Sequence, residues 1–134
     1  NSVAELRITL DKANANIAIL QDFKDSVSDY VIESQMPDAN NNYTWYRKYK
    51  SGWVEQGGRT HVAEIHNGTQ SITLPIEMSD NQYWCILSWV GREGNSGAYS
   101  GITKASSSTP TTLVIQVYLS GTHTMYWQVS GMAA

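Results

Sequence analysis

The side chains that could perform metal or acid–base chemistry are few and far apart in this sequence of 134 residues. Its three histidines are His61, His66 and His123. The first two are five positions apart, which matches neither the helical His–His pair of zinc peptidases nor a tight ligand pair. We therefore expect no metal ion and no cofactor within one chain, although a threefold axis could bring three copies of one side chain together.

Carboxylates show no sign of a catalytic pair. Glycoside cleavage needs two acids that converge in one cleft, and sequence spacing alone assembles no such pair in the second part of the chain. Acidic residues such as Glu55, Glu64, Glu77, Asp80 and Glu93 are scattered there. Because no nucleophile with a partner base stands out either, we predict no catalytic residues and a protein that is not an enzyme.

Two further features do not indicate a reactive or ligand-binding site. Cys85, the one cysteine, lies in the most apolar run of the chain, where a thiol is buried and inert rather than nucleophilic. A single cysteine also excludes a disulfide framework and a cysteine-based zinc site within one chain. Residues 91–97 are rich in glycine but lack the Gly-Lys-Ser/Thr ending of a phosphate-binding loop, so we expect a flexible loop there.

Aromatic side chains beside cations are the remaining feature that could bind a ligand. One predicted hairpin contains Trp45, Tyr46, Tyr49 and Trp53, with Arg47, Lys48 and Lys50 between them. Such side chains can stack on sugars or bases, whereas a small β domain also needs large side chains to fill its core. Both interpretations stay open, and the candidate receptor-facing aromatics are Trp45, Tyr46 and Trp53.

Composition limits the classes of partner. Nine basic and twelve acidic residues give a net charge of -3, which argues against duplex binding, so we expect no specific nucleic-acid partner. No apolar run approaches the roughly 20 residues that cross a bilayer, so we expect neither a transmembrane helix nor a signal peptide. With 41% apolar residues, the chain suits one compact domain and one attached element. Because the pattern is already present at Asn1, we interpret the chain as the C-terminal piece of a longer protein.

Residues 1–31 have the spacing of a coiled-coil helix. Apolar side chains recur at alternating steps of three and four, and neither Gly nor Pro interrupts the segment. The predicted seam consists of Val3, Leu6, Leu10, Ala13, Ile17, Leu20, Val27 and Val31. A strict repeat of this kind buries its seam only against another helix, so we predict a coiled-coil stalk. An amphipathic helix packed on its own domain is the alternative.

The flanks of the seam predict the number of helices. Dimeric coiled coils usually carry opposite charges at the flanking positions, and here most of these positions are uncharged. Uncharged flanks suit a broader interface, which favours a homotrimer. Lys24 occupies one seam position, where a polar residue fixes the register at a cost in stability. Ile8 and Ile19 fall outside the seam in this register.

Residues 32–134 follow a different pattern. Glycines become frequent, and short runs rich in Tyr, Trp, Val, Ile and Thr alternate with turn signals. The predicted strands are 30–35, 43–49, 53–57, 60–66, 70–75, 83–90, 98–103, 111–119 and 123–129. Short strands with no helix between them predict an antiparallel β-sandwich or jelly roll. The predicted fold class is therefore mainly β, with an N-terminal trimeric α-helical coiled coil followed by this knob.

Two predicted strands, 83–90 and 113–119, are apolar or nearly so on both alternating faces. In an antiparallel sandwich one face of a strand normally meets water and should be polar. We therefore expect the second face to be covered by a neighbouring copy of the chain, with a long loop of the same chain as the alternative. On the first interpretation, one chain alone has no complete interior.

The hairpin and the later strands resemble a known family. Residues 43–58, Tyr-Thr-Trp-Tyr-Arg-Lys-Tyr-Lys-Ser-Gly-Trp-Val-Glu-Gln-Gly-Gly, are similar to the aromatic hairpin of distal domains in phage and prophage tail fibres, and so are residues 72–76 and 83–84. Together with the helical stalk, the layout resembles the tip of the tail needle of short-tailed bacteriophages of enteric bacteria. Needles of that family are homotrimers in which a coiled coil ends, in some members, in a tumour-necrosis-factor-like (TNF-like) knob.

This resemblance implies a structural virion protein at the distal tip of the phage tail. Such a needle contacts the tail and portal machinery through an N-terminal part that this sequence lacks. It then acts at the host cell envelope during attachment, penetration and genome ejection. The alternative is a tail-fibre receptor-binding domain that recognises a host surface glycan or an outer-membrane protein.

Overall fold

The computed structural model of the chain describes residues 2–26, 28–90, 101–118 and 122–134. Within these ranges one helix precedes eight strands. The elements are α1 (Ser2–Ser26), β1 (Val31–Gln35), β2 (Trp45–Tyr49), β3 (Trp53–Val62), β4 (His66–Thr73), β5 (Trp84–Trp89), β6 (Gly101–Lys104), β7 (Thr112–Tyr118) and β8 (His123–Met132), with a short 3-10 turn at Ala39–Asn41. The chain divides into two compact units, residues 1–30 and 31–134.

The first unit contains the helix α1 of 25 residues, roughly 37 Å long at about 1.5 Å per residue. Glu5 in the first turn and Lys24 in the last turn both suit the helix dipole. None of the helix residues is buried, and the apolar side chains of the predicted seam are exposed wherever the structure describes them. Because most helical stability in proteins comes from packing of an apolar face, α1 lacks that contribution within its own unit.

The helix ends earlier than its spacing predicts. Val31 is the first residue of β1 and pairs with Tyr49, so it does not belong to a helical seam. The spacing misplaced it because one apolar residue fits both the last turn of a helix and the start of a strand. Val27 lies outside the described residues. Association of α1 with other helices stays a prediction.

The second unit consists of two antiparallel sheets. The larger has the strand order β1-β2-β3-β8-β5, and the smaller has the order β4-β7-β6. β3 and β8 form the longest ladder, in which every residue of β3 pairs with a residue of β8. The fold is therefore mainly β with antiparallel sheets, as the alternating spacing predicts.

One strand prediction is wrong. Segments 53–57 and 60–66 are not two strands, because Gly57, Gly58 and Arg59 continue the ladder with β8 and make one strand of ten residues. β4 also begins earlier than predicted, at His66. The predicted loop 91–97 and the first part of the predicted strand 98–103 lie outside the described residues.

One core lies between the two sheets. Inward side chains alternate with outward ones along the strands, and both sheets contribute to a single cluster of buried hydrophobic residues. Its members are Val54, Val62, Ile72, Leu74, Met78, Tyr83, Leu113, Ile115, Val117, Met125, Trp127 and Val129. This unit therefore has an interior made by one chain, contrary to the expectation that only several copies complete it.

The two strands with apolar faces differ in how they are covered. On β7 the outward residues Val114 and Gln116 are half-buried. On β5 the outward residues Trp84, Ile86 and Ser88 are exposed. The cover predicted for strand 83–90 is thus not supplied by the described residues of this chain.

Buried polar groups hold the segment between β4 and β5. The Gln56 side chain is fully buried, and its amide donates to the Ile76 carbonyl at 3.0 Å and accepts from the Ile76 N–H at 2.9 Å. Lys104 Nζ donates to the carbonyl oxygens of Asn81 and Tyr83 and lies 4.1 Å from the centre of the Tyr83 ring. Among the described residues no buried side-chain nitrogen or oxygen lacks a partner, as a well-ordered interior requires.

Along the described part of the chain, no helix combines the length and the apolar character needed to span a membrane.

Candidate functional site

The outward face of the larger sheet brings distant parts of the sequence into rows. Directly opposed residues of antiparallel strands point to the same side of a sheet. One row consists of Trp45, Gly57, Gln128 and Ile86, and the next consists of Arg59, Tyr126 and Ser88. Four strands that are separated in the sequence therefore contribute side chains to one surface.

Gly57 lies next to the Trp45 ring in this surface. A β carbon at this position would lie 2.6 Å from the carbonyl oxygen of Trp127 and 2.7 Å from the indole Nε1 of Trp45. Atoms that are not bonded to each other do not approach so closely. The absence of a side chain at Gly57 therefore lets the Trp45 ring lie against the backbone of β3. Gly57 thus determines how close the Trp45 ring lies to the sheet.

A tightly bonded loop positions Tyr43 next to this face. Asn42 and Tyr43 both have left-handed backbone conformations, with φ of 58° and 55°, which costs free energy in residues that carry a β carbon. Thr44 secures the turn, because its N–H donates to Asn41 Oδ1 at 3.0 Å and its hydroxyl donates to the Asn41 carbonyl at 2.6 Å. The Arg59 N–H donates to the Asn42 carbonyl at 2.8 Å, which ties the loop to β3.

Two arginines lie over aromatic rings on this face. The guanidinium carbon of Arg59 is 4.5 Å from the centre of the Tyr43 ring, and that of Arg47 is 5.8 Å from the centre of the Trp45 ring. At these distances a cation–π contact orients both partners. Among the described residues neither arginine forms an ion pair with a carboxylate. Since a guanidinium has five N–H donors, both can still donate to a ligand.

These side chains enclose a groove of about 270 Å³, which we call the aromatic groove. It is lined by Tyr43, Trp45, Gly58, Ile86, Ser88, Tyr126, Trp127 and Gln128. The rings supply flat apolar surface, and the Gln128 amide and the Ser88 hydroxyl supply hydrogen-bonding groups beside them. A cavity with apolar walls and a few polar groups is the usual form of a small-ligand site. The groove is therefore suited to a ring-shaped ligand with polar edges.

The three aromatics singled out from the sequence lie in three different environments. Trp45 is a wall of the aromatic groove. Tyr46 faces the other side of β2, where its hydroxyl donates to Glu33 Oε1 at 3.0 Å, and this hydrogen bond raises the pKa of Tyr46. Trp53 lines a separate depression of about 220 Å³. Alternation along β2 explains why Tyr46 lies apart from Trp45, whereas Trp53 is on the outward face of β3, opposite Met132. A receptor contact by any of the three stays a prediction.

The histidines have local partners in the structure. His66 Nε2 lies 3.0 Å from Glu64 Oε1, and His61 Nδ1 lies 3.3 Å from Thr124 Oγ1. His123 is buried, with its ring edge-on to a tryptophan at 5.0 Å between ring centres. In residues 2–26, 28–90, 101–118 and 122–134, no group of three His, Cys, Asp or Glu side chains could hold a metal ion.

Burial and hydrogen bonding shift two other titratable groups near the sheet. Burial raises the pKa of the Cys85 thiol to about 11, and the Lys104 ammonium offsets part of this shift. The Tyr49 hydroxyl donates to Glu55 Oε1 at 2.7 Å, which raises the pKa of Tyr49. Glu55 lies on the outward face of β3, and its carboxylate accepts this hydrogen bond from Tyr49 of the neighbouring strand β2.

Sequence reasoning did not identify Tyr43, Gly57, Tyr126 and Gln128 as members of one site. Alternation in residues 123–132 does place Tyr126 and Gln128 on one face, opposite the buried Trp127. That signal could have shown which side chains of β8 point outward. It could not have shown that β3 and β5 flank β8, because strand order is not encoded in the spacing of a single strand.

Comparisons with known proteins bear on the fold. No protein-family model matches the chain, and no curated protein matches it either. An N-truncated R1-type pyocin tail fibre is similar in structure, with a TM-score of 0.53 and 16% sequence identity over 90% of this chain and 94% of that chain. The C-terminal part of the R1 pyocin fibre of P. aeruginosa matches with a TM-score of 0.52 and 16% identity over 75% of this chain.

At this identity the similarity shows a shared fold. The chain has the fold of a tail-fibre domain, and its match spans 28% of the longer R1 fibre fragment. Both of these similar structures are tail fibres, whereas the sequence layout suggested the knob of a tail needle.

Proposed function

We propose that this chain is a homotrimeric domain of a tail fibre, in a bacteriophage or a phage-tail-like particle, and that its aromatic groove binds a saccharide of the host cell envelope. The observation that carries the proposal is the similarity in fold to a pyocin tail fibre over 90% of this chain and 94% of that one. The protein is then a structural virion component with a receptor-binding role and no enzymatic activity.

The helix supports the homotrimer. Its described apolar seam is exposed in a single chain, and covering such a stripe is the main driving force for coiled-coil formation. A trimeric stalk also couples the stability of the three chains to one another. The TNF-like jelly roll that the sequence resemblance implies stays part of this proposal.

The groove favours a saccharide over a nucleic acid. Sugar rings have C–H faces that pack on aromatic rings, while their hydroxyl groups hydrogen-bond to side chains such as Gln128 and Ser88. A net charge of -3 disfavours a polyanionic backbone. Arg59, stacked on Tyr43 beside the groove, suits a saccharide that carries a carboxylate or phosphate substituent.

The tail-needle tip is the second candidate function. The observation that favours it is the order of elements, one helix followed by one β unit, which is the layout of a stalk with a knob. On this alternative the protein acts at the envelope during penetration and genome ejection, and it needs no saturable ligand.

A binding measurement on a panel of bacterial surface polysaccharides tests the proposal. We expect the whole chain to bind a subset of the panel saturably, and Trp45→Ala to weaken that binding at least about tenfold, or roughly 1.4 kcal/mol, because it removes one wall of the groove. Tyr46→Ala is the matched control, since it removes the adjacent ring from the other face of β2 and should leave the affinity within about twofold.

Two results would contradict the proposal. Equal losses in the two variants would place the binding surface outside the aromatic groove. No saturable binding to any polysaccharide or to intact enteric cells would favour the needle tip.

The same incubations test for catalysis. We expect no release of reducing ends from any polysaccharide, and steady release would identify an envelope-degrading enzyme instead.

A further inference from the structure

The outward side of β5 is an apolar surface, and only part of it belongs to the aromatic groove. Trp84 is 73% exposed and Ile86 is 64% exposed. Met132 on β8 is also exposed, and Trp53 stands opposite it on β3. We call these four residues the Trp84 patch; beside it lies the depression of about 220 Å³. Clustered apolar side chains of this kind mark contact surfaces on proteins.

Within the described residues, β5 is in addition an edge of the larger sheet that carries none of the usual protection. Among the described strands only β8 pairs with it. Its six residues, Trp-Cys-Ile-Leu-Ser-Trp, include no charge, no proline and no glycine, and its ladder with β8 runs without a register shift. Proteins usually protect sheet edges with such devices, because an apolar edge with unpaired backbone groups associates with other chains.

The other three edges of the two sheets do carry protection. β1 contains Glu33 and a register shift between Val31 and Glu33. β4 has a register shift between His66 and Gly68, and its exposed side chains are polar. β6 is only four residues long and ends in the charged Lys104. This contrast distinguishes β5 from the other three edges.

We propose that a second copy of this chain covers the Trp84 patch and the edge of β5 in the assembled fibre. The inference rests on the proposed homotrimer. Only four residues separate the end of α1 from the start of β1, so association of the helices holds the β units of different copies at a high effective concentration. An apolar patch can then be buried at little further cost in entropy.

This contact surface adjoins the aromatic groove without replacing it. Ile86 belongs to both, whereas Tyr43, Trp45 and Tyr126 stand on the side of the groove away from Trp84. The neighbouring copy would therefore stand beside one end of the groove and leave its aromatic walls open to a ligand.

Fluorescence of Trp84 in the whole chain tests the contact. The difference between the spectra of the natural chain and of Trp84→Phe isolates the emission of one of the five tryptophans. We expect this emission to be blue-shifted and quenched by acrylamide at least about threefold less than free N-acetyltryptophanamide, because an interface core excludes water. Light scattering on the same samples gives the number of chains per particle.

The combined readings separate failure of this inference from failure of the proposed function. A trimer with a protected Trp84 supports the contact. A trimer in which Trp84 is as accessible as the free indole overturns the contact and leaves the trimer standing. A single-chain particle overturns both. Protection that appears only when polysaccharide is added identifies the ligand as the occupant and also overturns the contact.

A pair of charge variants gives an independent test. Ile86→Lys places a cation in the contact and should lower the thermal midpoint of the trimer and expose Trp84, while Thr69→Lys places the same charge at an exposed position of β4 and should do neither. The same response in both variants would overturn the inference.

Discussion

The two units of this chain differ in the burial of their apolar side chains. The helix α1 buries none of its residues, although its apolar residues recur on one stripe. Among its described residues the β unit buries twelve hydrophobic side chains in one core formed within a single chain. Under the proposed function, folding of the β unit and assembly of the fibre are therefore separate steps: the first depends on contacts within a chain, and the second depends on contacts between copies.

The largest expected effect is the loss of association between chains in a variant whose β unit stays folded. Leu20→Asp places a charge in the seam, where burial of an unpaired charge costs several kcal/mol, so light scattering should show single chains. Near-ultraviolet circular dichroism should keep the aromatic signal of the folded β unit. Loss of that signal would show that the β unit is not independent of assembly.

Ile19→Asp is the matched control for this variant. In a single chain Ile19 and Leu20 are almost equally exposed, at 65% and 67%, and only the predicted register distinguishes them. The Ile19 variant should stay trimeric, and a loss of trimers from both variants would show that the register is wrong.

The second prediction concerns the stability of the β unit instead of the association of chains. Leu113 is fully buried, so Leu113→Ala should lower the free energy of unfolding of this unit by about 2–5 kcal/mol through lost burial and a cavity. Val114, half-buried on the other face of β7, provides the control: Val114→Ala should cost about 1 kcal/mol or less. Chemical denaturation followed by circular dichroism measures both values, and equal costs would contradict the inward and outward assignment.

The third prediction concerns Gly57, which lies against the Trp45 wall of the aromatic groove. In Gly57→Ala the added carbon meets Trp127 backbone and the Trp45 ring, so it should displace that ring and weaken polysaccharide binding about tenfold, with a stability cost of about 1–3 kcal/mol. Gly131→Ala is a control on β8, because the new carbon meets chiefly the flexible end of Met78. Unchanged affinity in the Gly57 variant would mean that the groove is not the binding surface.

The last prediction, which affects neither assembly nor binding, concerns Cys85, which lies between the outward Trp84 and Ile86 but faces the core. Burial raises its pKa to about 11, so at pH 8 its reaction with a thiol reagent should be about a hundredfold slower than in the urea-unfolded chain. The unfolded thiol loses its proton near pH 8.5. This group's contribution to stability should therefore be intact below that pH and should fall as pH rises toward about 11. Equal rates in the folded and unfolded chain would place the thiol on the surface.

Local pattern predicted much of the fold but little of the site. Alternation and turn signals identified a mainly β, antiparallel unit after the helix, because both are properties of neighbouring residues. They failed at Gly58 and Arg59, which the predicted strands 53–57 and 60–66 left as a break. In the structure both residues continue the ladder with β8, and the missing side chain of Gly58 allows close packing of the Trp127 ring instead of a turn.

The candidate site could be predicted only in part for a related reason. Trp45 was identifiable from the sequence as an aromatic residue beside cations. Its partners Tyr126 and Ile86 come from strands whose neighbours are set by the sheet order β2-β3-β8-β5, and that order depends on the whole core. Tyr43 depends on two consecutive left-handed residues, which no spacing rule marks.

Alternation along β8 also affects how such a domain can diversify. Tyr126 and Gln128 face the groove, while Met125, Trp127 and Val129 face the core. If the groove binds a saccharide as proposed, a substitution at one of these positions changes what the surface recognises and leaves the packing one residue away untouched. Under that function, a lineage of particles can adapt to new bacterial strains through a few exchanges at every second position, on a scaffold that does not have to be refolded each time.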